Sequence, residues 1–363
     1  MNNPENMREL MRPNIKALAG YVPIEPTDIL SKQIDIAPGE IIKLDGNENP
    51  YGCSDKVSKA LADYGCYHLY PDPEQRELRK GLESYISVKS DNIVAGAGSD
   101  EIIDLILRLL VEPDDTVINC PPTFGMYKFC TEVCAGKVIN VPRKQDFSLD
   151  IPAILKNIKP DTKAIFIASP NNPSGNLSPE KEIGQLLDAN IMVVIDEAYA
   201  EFSGFTVANL VPKYDNLVVL RTFSKWAGLA GLRVGYGIFP EYLVPYVMKI
   251  KQPYNVNIAA QIAALESLKD INYLRGTIKA IIEERERLFN SLSKLNWLKP
   301  YPSKANFILC SVEHGKARNT YERLKAKGIF IRYFNTPELH DFIRISVGKP
   351  EHTDKLISIL REL

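Results

Sequence analysis

"LVVLRTFSKWAGLAGLRVGYGIF" (217–239) sets the problem of the fold. It opens with a continuous apolar run, the pattern of a strand covered on both faces. It closes with a second strand-like run, Arg233 to Phe239, after only a short glycine-bearing link. A parallel crossover needs a dozen or more residues, usually with a helix. The second strand is therefore expected to run antiparallel to the first.

Working outward, the same texture recurs upstream. "DTVINC" (115–120), "KVINVP" (137–142), "KAIFIAS" (163–169) and "IMVVIDEAY" (191–199) read as buried strands. Amphipathic segments such as "DEIIDLILRLL" (100–110) and "SPEKEIGQLLDA" (178–189) alternate with them. That alternation implies an α/β domain with a mostly parallel central sheet and one antiparallel strand. After about residue 240 the pattern changes. A long charged helix over 270–295 precedes "NFILCSV", "IFIRYF", "FIRISVG" and a last helix "TDKLISILREL", which read as a smaller α+β domain. The expected division is an N-terminal arm with Pro13, Pro23, Pro26 and Pro38 (1–40), a large domain (41–250) and a small one (251–363).

Composition narrows the class. The 363 residues carry 44 Lys+Arg against 45 Asp+Glu, a formal net charge of -1. No basic surface for nucleic acid or an anionic membrane is implied. Small molecules and a second copy of the chain are the expected partners. The six cysteines, Cys53, Cys66, Cys120, Cys130, Cys134 and Cys310, include no CxxC pair. They read as free, mostly buried thiols of a reducing compartment, and no metal site is expected. The polar start "MNNPENMREL" is unlike a signal peptide, and no apolar run approaches the ~20 residues of a membrane helix. A cytoplasmic location is expected.

Ligands bind at the carboxyl edge of a parallel sheet. Three strands end there in polar groups. One gives Asn171 and Asn172 in "SPNNPSG", one gives Asp196 and Tyr199 in "DEAY", and one gives Thr222, Ser224 and Lys225 in "TFSK". An amine, a buried carboxylate, a phenol and an amide together suit pyridoxal phosphate. Its aldehyde condenses with a lysine, and its ring nitrogen is kept cationic by a carboxylate. Its phosphate suits backbone N–H groups at a helix start. "GAGSDEIIDLIL" (96–107) offers such a start, with Ser99 or Asp100 able to cap it, and Arg233 could add the cation. Gly228 and Gly231 would let the chain turn so that Lys225 and Arg233 face one ligand. Each motif alone is bland, since a lone "SK" is an ordinary solvated lysine. Their order along alternating strands makes the case.

The chain resembles the class I/II aminotransferases, pyridoxal-phosphate enzymes of fold type I, over nearly its whole length. The likeness rests on "RPNIKAL", "KLDGNENPYG" (43–52), "YPDPEQRELR" (70–79), "GAGSDE", "PPTFGMY" (121–127), "SPNNPSG", "DEAY", "RTFSKWAGLAGLRVGYG" and "FIRISVG" (342–348). "NENPYG", "PPTFGMY" and the short arm are most similar to the branch that acts on L-histidinol phosphate. The resemblance implies that Lys225 links to the cofactor and shuttles a proton between the substrate α-carbon and the cofactor's C4′. Asp196 would pair with the ring nitrogen, Tyr199 and Asn172 would bond the ring hydroxyl, and Phe124 would stack on the ring. The Ser99 and Asp100 N–H groups, the Ser224 hydroxyl and Arg233 would hold the phosphate, and Thr222 would also be among the cofactor-binding residues. Tyr70 would reach that phosphate from the other subunit of a homodimer. Arg344, Arg332, Tyr21 and Asn47 would face the substrate. Many relatives carry Tyr where this chain has Phe124, and Pro where it has Cys53.

The activity so implied is transamination of L-histidinol phosphate with 2-oxoglutarate, giving imidazole acetol phosphate and L-glutamate, a step of histidine biosynthesis. The alternatives are an aromatic-amino-acid aminotransferase and a threonine-phosphate decarboxylase on the same scaffold. A cofactor-sensing regulator is disfavoured, because the chain has no spare basic domain.

Overall fold

The computed structural model describes residues 8–363, so the first seven residues of the expected arm lie outside it. The apolar runs become strands β1 (Ile42–Leu44), β2 (Ile93–Gly96), β3 (Thr116–Asn119), β4 (Lys137–Asn140), β5 (Thr162–Ala168) and β6 (Met192–Asp196). They continue with β7 (Leu217–Thr222), β8 (Gly235–Ile238), β9 (Leu298–Pro300), β10 (Phe307–Val312), β11 (Ile329–Tyr333) and β12 (Phe342–Ser346). Seven of them form one sheet in the order β2-β8-β7-β6-β5-β3-β4. Strands β3 to β7 pair in parallel, whereas β8 runs antiparallel to both β7 and β2. The short Gly-rich link between β7 and β8 produces the antiparallel strand that its length requires.

Alternation within a doubly covered strand decides which layer each residue enters. Val193 and Ile195 of β6 pack into one core with Ile165, Val219 and Trp226. Val194, between them, packs into the other with Phe166, Val218 and Tyr127. The helices Ser99–Leu110, Met126–Val133 and Val244–Ile250 cover this second face. Burying a Val, Ile or Phe side chain contributes roughly 1.5–3 kcal/mol, so both layers hold the sheet edge that carries the polar residues.

The remaining strands form a second sheet, β1-β11-β12-β10-β9, with its own core around Leu288, Ile308, Ile331, Ile343 and Leu356. Strand β1, just past the expected boundary at residue 41, lies in this smaller sheet. Strand β1 pairs in parallel with β11, Ile42 opposite Ile329 and Leu44 opposite Ile331. Ile42 and Leu44 are buried in the smaller sheet's core, so the start of the expected large domain is built into the small one. The helices Pro13–Ala17 and Thr27–Ile34 of the arm bury only Leu30, and Asn14 ties it down by donating to the Glu132 and Val133 carbonyls at 2.8 and 3.2 Å.

Candidate active site

The polar ends of β5, β6 and β7 lie side by side, because these strands are adjacent and parallel. Asp196 ends β6 and is buried. Its carboxylate accepts the Tyr127 hydroxyl at 2.6 Å and the Ala198 N–H at 3.0 Å. Both donors are neutral, and among the described residues no cation forms an ion pair with it. Burial pushes its pKa up to about 6, against the lowering pull of those two hydrogen bonds. Tyr127 ends the motif "PPTFGMY" (121–127), whose pattern does not single it out as a partner of Asp196. A hydroxyl 69 residues before its acceptor leaves no local signal.

Lys225 lies just past the end of β7, partly buried, and its Nζ donates to the Gly46 carbonyl at 2.9 Å. Burial lowers its pKa to about 8, aided by the Arg344 and Arg233 cations and opposed by Glu48 and Asp100. Gly228 makes the turn possible. Its φ is +69°, and a Cβ there would sit 2.3 Å from the Gly52 carbonyl oxygen. The lysine loop is thus pressed against the "NENPYG" turn, and only glycine tolerates both demands.

That turn supplies the third side of the site. Asn47 is buried and donates from Nδ2 to the Tyr199 hydroxyl at 3.0 Å. Its backbone N–H donates to the Ser346 hydroxyl at 2.9 Å, and its carbonyl accepts from Asn306 at 2.9 Å. Tyr199 is buried, which raises its pKa to about 12. Arg344, on β12, donates to the Asn172 side-chain oxygen at 2.6 Å and to the Asp45 carbonyl at 2.5 Å. Its Nε is buried without a partner, and burial lowers its pKa to about 10. Arg332 sits directly across from Arg344 in the antiparallel register of β11 and β12. Two cations placed opposite each other repel unless an anion joins them.

On the other side of Lys225, Gly98 rather than Ser99 or Asp100 takes the cap position of the helix Ser99–Leu110, and no side chain caps it. The Asp100 carboxylate is instead taken by Arg233 at 2.7 Å. The first N–H groups of the helix, those of Ser99 and Asp100, are left to bind an anion. The backbone is tight here. A Cβ at Gly235 would lie 2.5 Å from the Ser99 nitrogen, and one at Gly98 would lie 2.5 Å from Arg233 Nη2. Ser224 accepts from the Thr222 hydroxyl at 2.9 Å, and both are buried. Phe124 packs edge-on against Tyr127 at 5.7 Å, and Tyr21 of the arm packs edge-on against Phe124 at 6.4 Å.

Two residues of the expected set stand apart. Asn171 is buried and occupied by Thr123, Pro122 and Ser174, so it shapes the loop rather than the site. Tyr70 is 81% exposed and stacks on Tyr254 with ring centroids 4.4 Å apart, so it meets none of the site residues of its own chain.

These features fit pyridoxal phosphate. A buried carboxylate without a cation among the described residues suits a cationic ring nitrogen, a helix start beside glycines suits a phosphate, and a lysine of lowered pKa suits an aldehyde. The fold and the site together define a pyridoxal-phosphate enzyme, and the aminotransferase class I and II profile matches residues 39–360. The chain belongs to that aminotransferase family. Relatives that match end to end are histidinol-phosphate aminotransferases. That of Dehalococcoides mccartyi (strain CBDB1) is 49% identical over 99% of both chains. The chloroplastic protein of Nicotiana tabacum is 47% identical over 97% of this chain and 86% of its own. Among solved structures, the histidinol-phosphate aminotransferase of Sinorhizobium meliloti in complex with pyridoxal-5'-phosphate superposes with a TM-score of 0.89. It is 25% identical and covers 97% of this chain and 98% of its own.

Proposed function

We propose that the chain transfers the amine of L-histidinol phosphate to 2-oxoglutarate, giving imidazole acetol phosphate and L-glutamate. The observation that carries this reading is a pair of buried, oppositely charged groups with no counter-ion among the described residues, Asp196 and Arg344, on either side of an amine of lowered pKa. The first calls for a cationic ring and the second for an anionic substrate.

When bound, pyridoxal phosphate supplies an aldehyde that takes up the amine and a ring that draws charge from the amine-bearing carbon. The chain's own residues do the rest. Asp196 keeps the ring nitrogen protonated, with Tyr127 and the Ala198 N–H fixing the carboxylate's direction. Tyr199 and Asn172 hold the ring hydroxyl, and Phe124 covers the ring face. Ser99, Asp100, Ser224 with Thr222, and Arg233 hold the cofactor phosphate. Lys225 Nζ would take the proton from the amine-bearing carbon of the substrate and pass it to the cofactor's C4′. Arg344 forks onto the substrate phosphate in one half-reaction and the glutamate carboxylate in the other. Arg332 adds a second cation, which suits a phosphate dianion better than a single carboxylate. Tyr21 and Asn47 line the substrate side, and the described part of the arm, residues 8–40, closes over it. The remaining division is a large cofactor domain up to residue 250 and a small domain from 251, to which β1 is joined.

The test is a side-by-side assay of histidinol phosphate, phenylalanine and threonine phosphate with 2-oxoglutarate. Ping-pong kinetics with strong preference for histidinol phosphate are expected. Equal efficiency with phenylalanine, or CO2 release from threonine phosphate, would replace the reading with one of its rivals. No helix of the described residues is long and apolar enough to cross a membrane. We place the enzyme in the cytoplasm because its six cysteines are all free. Three of the thiols, Cys120, Cys130 and Cys310, are buried, fewer than expected, and Cys66 is exposed.

The exposed Tyr70 makes a homodimer part of this proposal. Its turn is anchored from behind, where Lys251 donates to the Pro73 carbonyl at 2.7 Å, so the ring projects from a fixed base. A two-fold axis would place each Tyr70 on the partner's phosphate. Tyr70→Ala and Lys225→Ala subunits, each impaired alone, should regain activity when unfolded and refolded together, since one site of each heterodimer is then intact. Activity staying at the parents' level would show that Tyr70 acts within its own chain or not at all.

A further inference from the structure

Two of the chain's four histidines, His314 and His340, lie far apart in sequence yet meet at one carboxylate on the small domain. His314 Nδ1 is 2.7 Å from Asp341 Oδ2, and His340 Nε2 is 3.2 Å from the same oxygen. The three candidate ligand atoms all lie within 4.8 Å of one another. Both rings are exposed and Asp341 is partly exposed.

The hydrogen bonds around this cluster restrict what it can hold. His340 Nδ1 is 2.7 Å from the Pro337 carbonyl, which can only accept, so Nδ1 carries a proton. In the neutral ring, the Nε2 lone pair then points at a carboxylate oxygen. Lone pair facing lone pair is unfavourable unless a proton or a metal cation stands between them. The other carboxylate oxygen, Oδ1, accepts the Gly315 N–H at 3.0 Å. Metal-binding imidazoles characteristically donate their second ring N–H to a backbone carbonyl, and metal-binding carboxylates are themselves hydrogen-bonded. His340 and Asp341 both have this arrangement. Geometry agrees with a small adjustment. Tetrahedral zinc with ligands at 2.0–2.1 Å needs ligand atoms about 3.3 Å apart. The His340–Asp341 distance already matches, and His314 has only to swing outward, which its exposed ring allows.

We infer that His314, His340 and Asp341 form a surface site for a divalent transition-metal ion of the zinc type, with solvent completing its coordination. Imidazole and carboxylate ligands select such ions over magnesium or calcium, which prefer all-oxygen sites. The ion would clamp the turn after β10 to the loop that leads into β12, the strand that carries Arg344. No part of this depends on the reaction proposed above.

Equilibrium dialysis of the untagged holoenzyme against low micromolar zinc, with total metal measured per chain, tests the inference. One zinc per chain is expected, and the His68→Ala variant, an exposed histidine outside the cluster, should bind it equally. His340→Ala and the double variant His314→Ala/His340→Ala should bind at least as weakly as the ~10–100-fold loss that removing a mere orienting partner causes. Zinc should also raise the melting temperature of the parent and of His68→Ala, but not of the double variant. Failure of the parent to take up zinc would overturn the inference. Equal uptake by parent and double variant would also overturn it, because the cysteines or the cofactor would then hold the metal.

Discussion

Replacing Lys225 with alanine should lower turnover roughly 10⁴-fold or more, the upper range for a positioned acid–base group, with the covalent anchor lost as well. That is about 5 kcal/mol of barrier. Nothing adjacent can substitute. The cations that act on the lysine are the guanidinium groups of Arg344 and Arg233, which do not give up protons at neutral pH. The lowered pKa of about 8 adds a second measurement. Relative to a lysine at 10.5, such a group offers roughly 300-fold more free amine at neutral pH. Only the neutral amine attacks an aldehyde, so uptake of pyridoxal phosphate by the cofactor-free protein should quicken as pH rises through about 8 and then level off. Borohydride reduction of the holoenzyme should leave the cofactor's mass on the peptide containing Lys225. Label on another lysine, or near-normal turnover in Lys225→Ala, would refute the assignment.

Asp196→Asn should lose roughly 10²–10³-fold in turnover, as when one preorganised electrostatic contact is removed from an active site. Asp196→Ala should lose at least as much, and Asp196→Glu distinctly less. The asparagine variant separates charge from shape, since it keeps the side chain's size while removing the anion. The carboxylate is buried between neutral donors, Tyr127 and the Ala198 N–H, and burial holds its pKa near 6. A cationic ring nitrogen beside it would stabilise the ionised form and pull that value down. The cofactor should therefore bind more weakly to Asp196→Asn at neutral pH, with the charge pair gone. Near-normal turnover in the alanine variant would show that the ring nitrogen does not need this anion.

Much of this was legible in the sequence because local pattern and global placement agreed. The runs that became β5, β6 and β7 are apolar throughout, and their polar ends had to meet once the strands were parallel. The antiparallel β8 followed from the length of one link. What escaped lacked a local signal. The run "IVAG" of β2 is four residues long and half small. The helix Ile258–Lys269 is apolar on several sides, with Ala260, Ala263 and Ala264 all buried, so no stripe marked it. Tyr127 finds Asp196 only after the chain has crossed the sheet. Pro337 fixes the His340 tautomer through a carbonyl that composition cannot reveal.

The pairing of β1 with β11 bears on how the protein is made. The chain lays down Ile42, Lys43 and Leu44 long before their hydrogen-bonding partners, Ile329 to Ile331, emerge from the ribosome. Until then β1 has no ladder to join, and the nascent small domain cannot close its sheet. Contacts of such long sequence separation slow folding, because the loop must be ordered before the contact rewards it. A fragment cut at residue 251 would meet the same difficulty permanently. It would present the β11 edge bare, an open invitation to strand addition by another molecule. The small domain is therefore expected to be soluble as part of the whole chain and aggregation-prone when expressed alone.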